Sequence, residues 1–194
     1  HISDVILTVE WLIASQDPEG DERSQRNHRE EHVNKLVQWC HGAPGAVILL
    51  STMIWLQSTE HRYFKLDKDL QAQLHTSIQQ GADVIYERGL LQKGLGLCHS
   101  VAGSVNTLLS ALCVLDQDAA NMPYFTKAIH LAHLVMQVDK FVQDGAMKVQ
   151  DRPWSMYEGM SGMCCAWVEV LQRLSKGSRI GSSMPGYDDL LTVE

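Results

Sequence analysis

Trp39-Cys40-His41-Gly42-Ala43-Pro44-Gly45, followed by the apolar run Ala46 to Leu56, is the stretch that decides how this chain folds. A variant of it comes back as Leu97-Cys98-His99-Ser100-Val101-Ala102-Gly103, followed by Val105 to Leu115. It comes back again as Tyr157-Glu158-Gly159-Met160-Ser161-Gly162, followed by Met163 to Leu174. Gly42 to Ser100 is 58 positions and Ser100 to Gly159 is 59. A fixed period of this size signals stacked supersecondary units.

The segments between the motifs have helical periodicity. Leu70, Leu74, Ile78 and Ile85 fall on one helix face, with Gly89 as a stop. Phe125, Ile129, Ala132, Met136 and Phe141 form a similar stripe, with Pro123 in the first turn. Ile2 to Ile13 resembles both. Each unit thus reads as an amphipathic helix, a loop, a glycine motif and a nearly all-apolar helix. Apolar helices must lie inside and amphipathic ones outside, which predicts an all-α, two-layer ring or solenoid. One period back from Gly42 falls before residue 1, so the sequence reads as part of a longer array. Repeat arrays need neighbours or polar caps at their ends.

Two stretches stand apart. Residues 14–35 are charged and almost without large apolar residues, and read as a solvated loop. Residues 175–194 hold Gly177, Gly181, Pro185 and Gly186 and read as a loosely ordered tail. The whole of 1–194 reads as one domain.

Bulk properties exclude several classes. The 194 residues carry a net charge of -7, with no basic face for nucleic acid. Apolar residues make up 45% and charged ones 20%, ordinary for a globular protein. Ala46 to Leu56 is too short to span a bilayer, which takes about 20 residues. The five cysteines include adjacent Cys164 and Cys165, and no signal peptide precedes them, so a reducing compartment fits better than a disulfide framework.

Cys40 and Cys98 occupy the same repeat position, and His99 follows Cys98. If the units stack in register, two thiolates and one imidazole meet at one mouth of the ring. Such a set suits Zn2+ with an open fourth position. The bland alternative is that both cysteines are small buried hydrophobes. His41 reads as a proton-transfer group or a polar lid residue. Lys93 reads as a contact for an acidic substrate or a solvated cation. Glu158 reads chiefly as a cap for the helix after it. Cys113, Cys164 and Cys165 read as core residues, Trp39, Trp55 and Trp167 as core or cavity wall, and His130 and His133 as a solvated pair.

These motifs resemble the lanthionine synthetase C-like family. Residues 39–45 match its eukaryotic WCHGxPG form, Gly94 to His99 its GxGLCHG element, and Tyr157 to Gly162 its EGMAG-like element. The resemblance implies an (α/α) toroid of seven helix pairs, of which this chain would be the C-terminal part: a partial ring of about three to four helical hairpins. It implies zinc on Cys40, Cys98 and His99, with Lys93 at the lysine of glutathione-binding members and His41 as a candidate catalytic group. It implies addition of glutathione or a peptide cysteine to dehydroamino acids in a peptide or protein. The alternative is a non-catalytic zinc-bearing module that binds glutathione or a protein, with this half-length chain inactive alone and catalysis dependent on the N-terminal repeats. It also implies a cytoplasmic protein, with peripheral association at the plasma membrane as in several eukaryotic relatives. The family's proton-transfer histidine belongs to a motif expected before residue 1. Ser100 stands where the family has glycine, which is tolerated if that position needs no positive φ.

Overall fold

A computed structural model describes residues 2–16, 37–59, 65–116, 118 and 121–176. The predicted loop therefore falls almost wholly outside the described residues, apart from Ala14, Ser15 and Gln16, and the predicted tail does so beyond Lys176. Ala14 and Ser15 belong to a helix, and the last inner helix runs two residues into the predicted tail.

Among the described residues the chain is helical throughout. Its elements are α1 (Ile2–Ser15), α2 (Ala43–Thr59), α3 (Lys68–Arg88), α4 (Val101–Leu115), α5 (Pro123–Leu134), α6 (Val138–Gln143) and α7 (Met160–Lys176). A 3-10 turn, Val135–Gln137, separates α5 from α6. Helices α2, α4 and α7 follow the three motifs and form the inner layer. Helices α1, α3 and α5 form the outer one. Helix α4 sits centrally, packed on α2, α3, α5 and α7. The architecture is an all-helical arc in which α3 packs on α4, α5 packs on α7 and α1 rests on α3, in keeping with the partial ring of helices that the resemblance implied.

The layering follows from composition. Every residue from Val101 to Leu112 is buried. Three polar side chains there are satisfied locally: Asn106 Nδ2 donates to Ala102 O at 2.9 Å, Thr107 Oγ1 to Gly103 O at 2.8 Å, and Ser110 Oγ to Asn106 O at 3.1 Å. Back-bonding to the preceding turn lets such residues sit inside an apolar layer. Helix α3 turns Leu70, Leu74, Ile78 and Ile85 into the core as its spacing predicted. Its start is fixed by Asp67, whose carboxylate accepts from Leu70 N at 2.7 Å.

The second stripe fails at one residue. Met136 is 69% exposed, while Val135 is fully buried. The 3-10 turn has about 3.0 residues per turn, which shifts the helical phase by most of one position. Helix α4 then hands over to α5 through Asp116, which is buried. Its carboxylate accepts from Tyr124 N at 3.3 Å and Phe125 N at 2.9 Å. This puts a negative group on the N-terminus that Pro123 opens.

A polar knot ties α3 to α5 on the outer face. Tyr124 is buried and its hydroxyl donates to Asp83 Oδ1 at 3.3 Å, and Lys127 Nζ lies 2.5 Å from the same oxygen. Burial, then the Asp83 charge, raises the Tyr124 phenol from 10.0 to about 12. The unfolded chain releases this proton above about pH 10, whereas the folded chain keeps it to about 12. Within that window the unfolded state binds fewer protons, so stability falls as pH rises. Denaturant titrations across that window should show a shallower loss for Tyr124→Phe than for the parent. Parallel slopes would show that the phenol makes no contribution.

The two ends of the arc are open. Helix α1 exposes Leu7 and Trp11, and α7 exposes Val168, Leu171 and Leu174. Cys164 lies on this exposed side of α7 and Cys165 is half-buried, so neither is the core residue the sequence suggested, whereas Cys113 is half-buried and packs against the core. No helix among the described residues is long and apolar enough to cross a membrane.

Candidate functional site

The three motif loops meet at the end of the arc where the inner helices begin. Cys40 N donates to Cys98 O at 3.4 Å, and Cys98 N donates to Tyr157 O at 2.9 Å. Repeat-equivalent residues are thus linked from one unit to the next by main-chain bonds. A glycine five residues after each of them makes this possible. A Cβ at Gly45 would meet Trp39 O at 2.5 Å, one at Gly103 would collide with Leu97 O, and one at Gly162 with Met156 O. In all three cases the carbonyl belongs to the residue six positions earlier, so the loops are one structure repeated.

Local turns aim the side chains. Gln38 and His41 exchange two main-chain bonds of 3.1 Å, which makes a tight turn with Trp39 and Cys40 at its tip. Gly42 leaves that turn at φ 127°, where a side chain would be strained. Ser100, its counterpart, sits at φ -143°, so the serine is accommodated, as the sequence condition required. The positive φ in this loop falls at Gly94 instead, at 115°.

Cys40 and Cys98 lie side by side, and the Cys40 thiol acts electrostatically on the Cys98 sulfur. Cys40 is exposed and Cys98 half-buried. The Cys40 thiol also contacts Gln38 Oε1 at 3.9 Å, and Trp39 packs against Tyr157 with ring centroids 6.3 Å apart. Burial first, then Cys40 and the Glu158 carboxylate, pushes the Cys98 thiol from 9.0 up to about 12, and Lys93 opposes them. With no further positive charge this thiol stays protonated at neutral pH.

Two of the three proposed ligands therefore come together. Lys93 and Glu158 act electrostatically on the same sulfur. His99 is half-buried one residue along, and His41 is exposed beside Cys40. Among the described residues no three His, Cys, Asp or Glu side chains form a group able to hold a metal ion. The donor chemistry suits a soft divalent ion as far as its two sulfurs go. A zinc site here would need both sulfurs deprotonated and at least one further ligand brought to them.

Glu158 does not cap α7. Its Oε2 lies 3.5 Å from Arg152 Nε, a largely exposed pair, and the amides of Gly159 and Met160 donate instead to Ser155 O at 2.8 Å and Pro153 O at 2.7 Å. The sequence reading missed Gln38, Gln150 and Arg152. Gln150 covers Gly94, where a Cβ would meet its Cγ at 2.7 Å. These contacts join irregular loops, which carry no periodic signal. Gln38, two residues before Cys40, was the one within sight of a motif.

Comparison with known proteins agrees with the all-helical fold. The lanthionine synthetase C-like protein family profile matches residues 4–175. The chain belongs to the lanthionine synthetase C-like family. It is 34% identical over 139 residues to the zebrafish (Danio rerio) protein named glutathione S-transferase LANCL1, covering 71% of this chain and 29% of that one. It is 25% identical over 189 residues to the Arabidopsis thaliana LanC-like protein GCL1, covering 96% of this chain and 38% of that one. The chain thus spans about a third of the length of these LanC-like relatives.

Proposed function

We propose that this LanC-like chain holds Zn2+ on Cys40, Cys98 and His99 and uses the site to activate a thiol for conjugate addition. The observation that carries the proposal is the main-chain bond from Cys40 N to Cys98 O at 3.4 Å, which sets the two cysteines side by side across two repeats. The reading requires the His99 imidazole to join them. The similarity to a protein named as a glutathione S-transferase favours glutathione as the thiol and a dehydroamino acid in a peptide or protein as the acceptor.

Free thiols ionise near pH 8.5, so little thiolate exists at neutrality. Bound zinc would supply the positive charge that keeps the substrate thiol deprotonated. The chain's own residues then do the rest. Helices α2, α4 and α7 each begin three residues after positions 40, 98 and 157. Their N-termini therefore face the rim and favour an anionic sulfur, each by about 0.3–1 kcal/mol. Lys93, exposed on the Cys98 loop, attracts the carboxylates of an acidic thiol. The sulfur bonds to the acceptor's terminal alkene carbon, and the alkene electrons move onto the acceptor carbonyl. A proton must then reach the α-carbon. His41, exposed at the turn tip, is the group of this chain placed to deliver one, a role worth about 10²–10⁴-fold.

The test is metal analysis followed by an assay. Purified chain should carry one equivalent of zinc and add glutathione to a dehydroalanine peptide. Absence of zinc from protein refolded with it sinks the metal reading. Stoichiometric zinc without turnover, in this chain and in a full-length relative alike, turns the site into a binding module.

A further inference from the structure

We infer that Cys40 and Cys98 form a reversible redox pair, in which a hydroperoxide oxidises Cys40 and Cys98 closes the disulfide. This goes beyond metal binding, because it needs only the two sulfurs. Three observations converge on it. Cys40 N donates to Cys98 O at 3.4 Å, so the two residues lie side by side on adjoining loops, as a disulfide demands. The Cys40 thiol also acts electrostatically on the Cys98 sulfur. Their accessibilities differ in the useful sense: Cys40 is exposed to a solution oxidant, and Cys98 is half-buried behind it. An accessible sulfur poised beside a resolving one is the arrangement of a redox-sensing pair. The turn that Gln38 and His41 close holds Cys40 at its tip, so closure moves two side chains and no helix.

The chemistry balances with one peroxide. The Cys40 sulfur attacks a peroxide oxygen and breaks the O–O bond, leaving a sulfenic acid and hydroxide, which takes the Cys40 proton to become water. The Cys98 sulfur then attacks the Cys40 sulfur. The S–S bond forms, the S–O bond breaks, and the departing hydroxide leaves as a second water with the Cys98 proton. Two thiols are oxidised and one peroxide is reduced. The disulfide consumes both sulfurs that a metal would use, so oxidation and metal loading exclude each other.

The experiment treats the whole chain, stripped with EDTA, with hydrogen peroxide, alkylates it, and maps the peptides without reduction. Of the five thiols, two should disappear, with a cross-link between the Cys40 and Cys98 peptides that dithiothreitol reverses. In Cys98→Ser, dimedone should trap a sulfenic acid on Cys40 and no intramolecular cross-link should form. In Cys40→Ser, Cys98 should take up several-fold less dimedone than Cys40 does. Cross-links to Cys164 or between chains, or over-oxidation of Cys40 with Cys98 untouched, would overturn the pairing. Equal labelling of Cys98 and Cys40 would overturn the order of attack. No arm involves zinc, so failure of the metal reading leaves these outcomes interpretable.

Discussion

Cys98→Ala is expected to weaken zinc binding by roughly 10²–10³-fold while the protein stays folded. A four-ligand zinc site in a small domain contributes about 10–16 kcal/mol, and one ligand carries about a quarter of that. The fold should survive because Cys98 serves it through its main chain. Its amide bonds to Tyr157 O and its carbonyl accepts from Cys40 N, and alanine keeps both. The side chain is half-buried, so its loss costs at most about 1 kcal/mol. Activity should separate the proposed mechanism from mere binding. In the parent, addition of glutathione should hold its rate as pH falls from 8.5 toward 7. In the variant the rate should fall about tenfold per pH unit, following the free thiolate. Zinc titration and a pH–rate series on the two proteins check both parts. Unchanged zinc affinity would remove Cys98 from the ligand set.

Gly103→Ala should have the opposite profile, destroying the fold rather than the chemistry. A Cβ there would collide with the carbonyl oxygen of Leu97. That oxygen cannot step aside cheaply. Leu97 is fully buried, its amide is bonded to Met156 O at 3.3 Å, and Gly162 presses on the same residue from the far side. Helix α4 would have to withdraw from its own loop, and α4 is the helix on which α2, α3, α5 and α7 pack. Overpacking typically costs about 1–3 kcal/mol. Here a rigid main-chain atom is struck in the central helix, so a loss of about 3 kcal/mol or more is expected. Denaturant unfolding measures it directly. A change under 1 kcal/mol would mean that the loops are not held at this spacing.

The repeat was readable because glycine and large apolar residues recur at fixed distances, and close packing enforces both. The same signal placed Cys40 and Cys98 at equivalent positions, and their main chains are joined by a hydrogen bond. Their environment was not readable. Gln38, Arg152 and Gln150 reach the site from loops whose geometry depends on local turns. Glu158 was misread for the same reason: helix capping can be argued from its position, while the competing Arg152 lies on a turn whose shape the spacing does not reveal. Met136 was misplaced because a 3-10 turn needs only one missing hydrogen-bond shift, and composition does not register it.

The bonds from Cys40 to Cys98 and from Cys98 to Tyr157 use only amides and carbonyls. The side chains at these three stations therefore take no part in joining one loop to the next. The toroid's rim works as a row of sockets, each wired to the next through the backbone and each able to accept a different plug. Two sockets here hold sulfur and the third an aromatic ring. Evolution or design can re-equip one without rebuilding the frame beneath it.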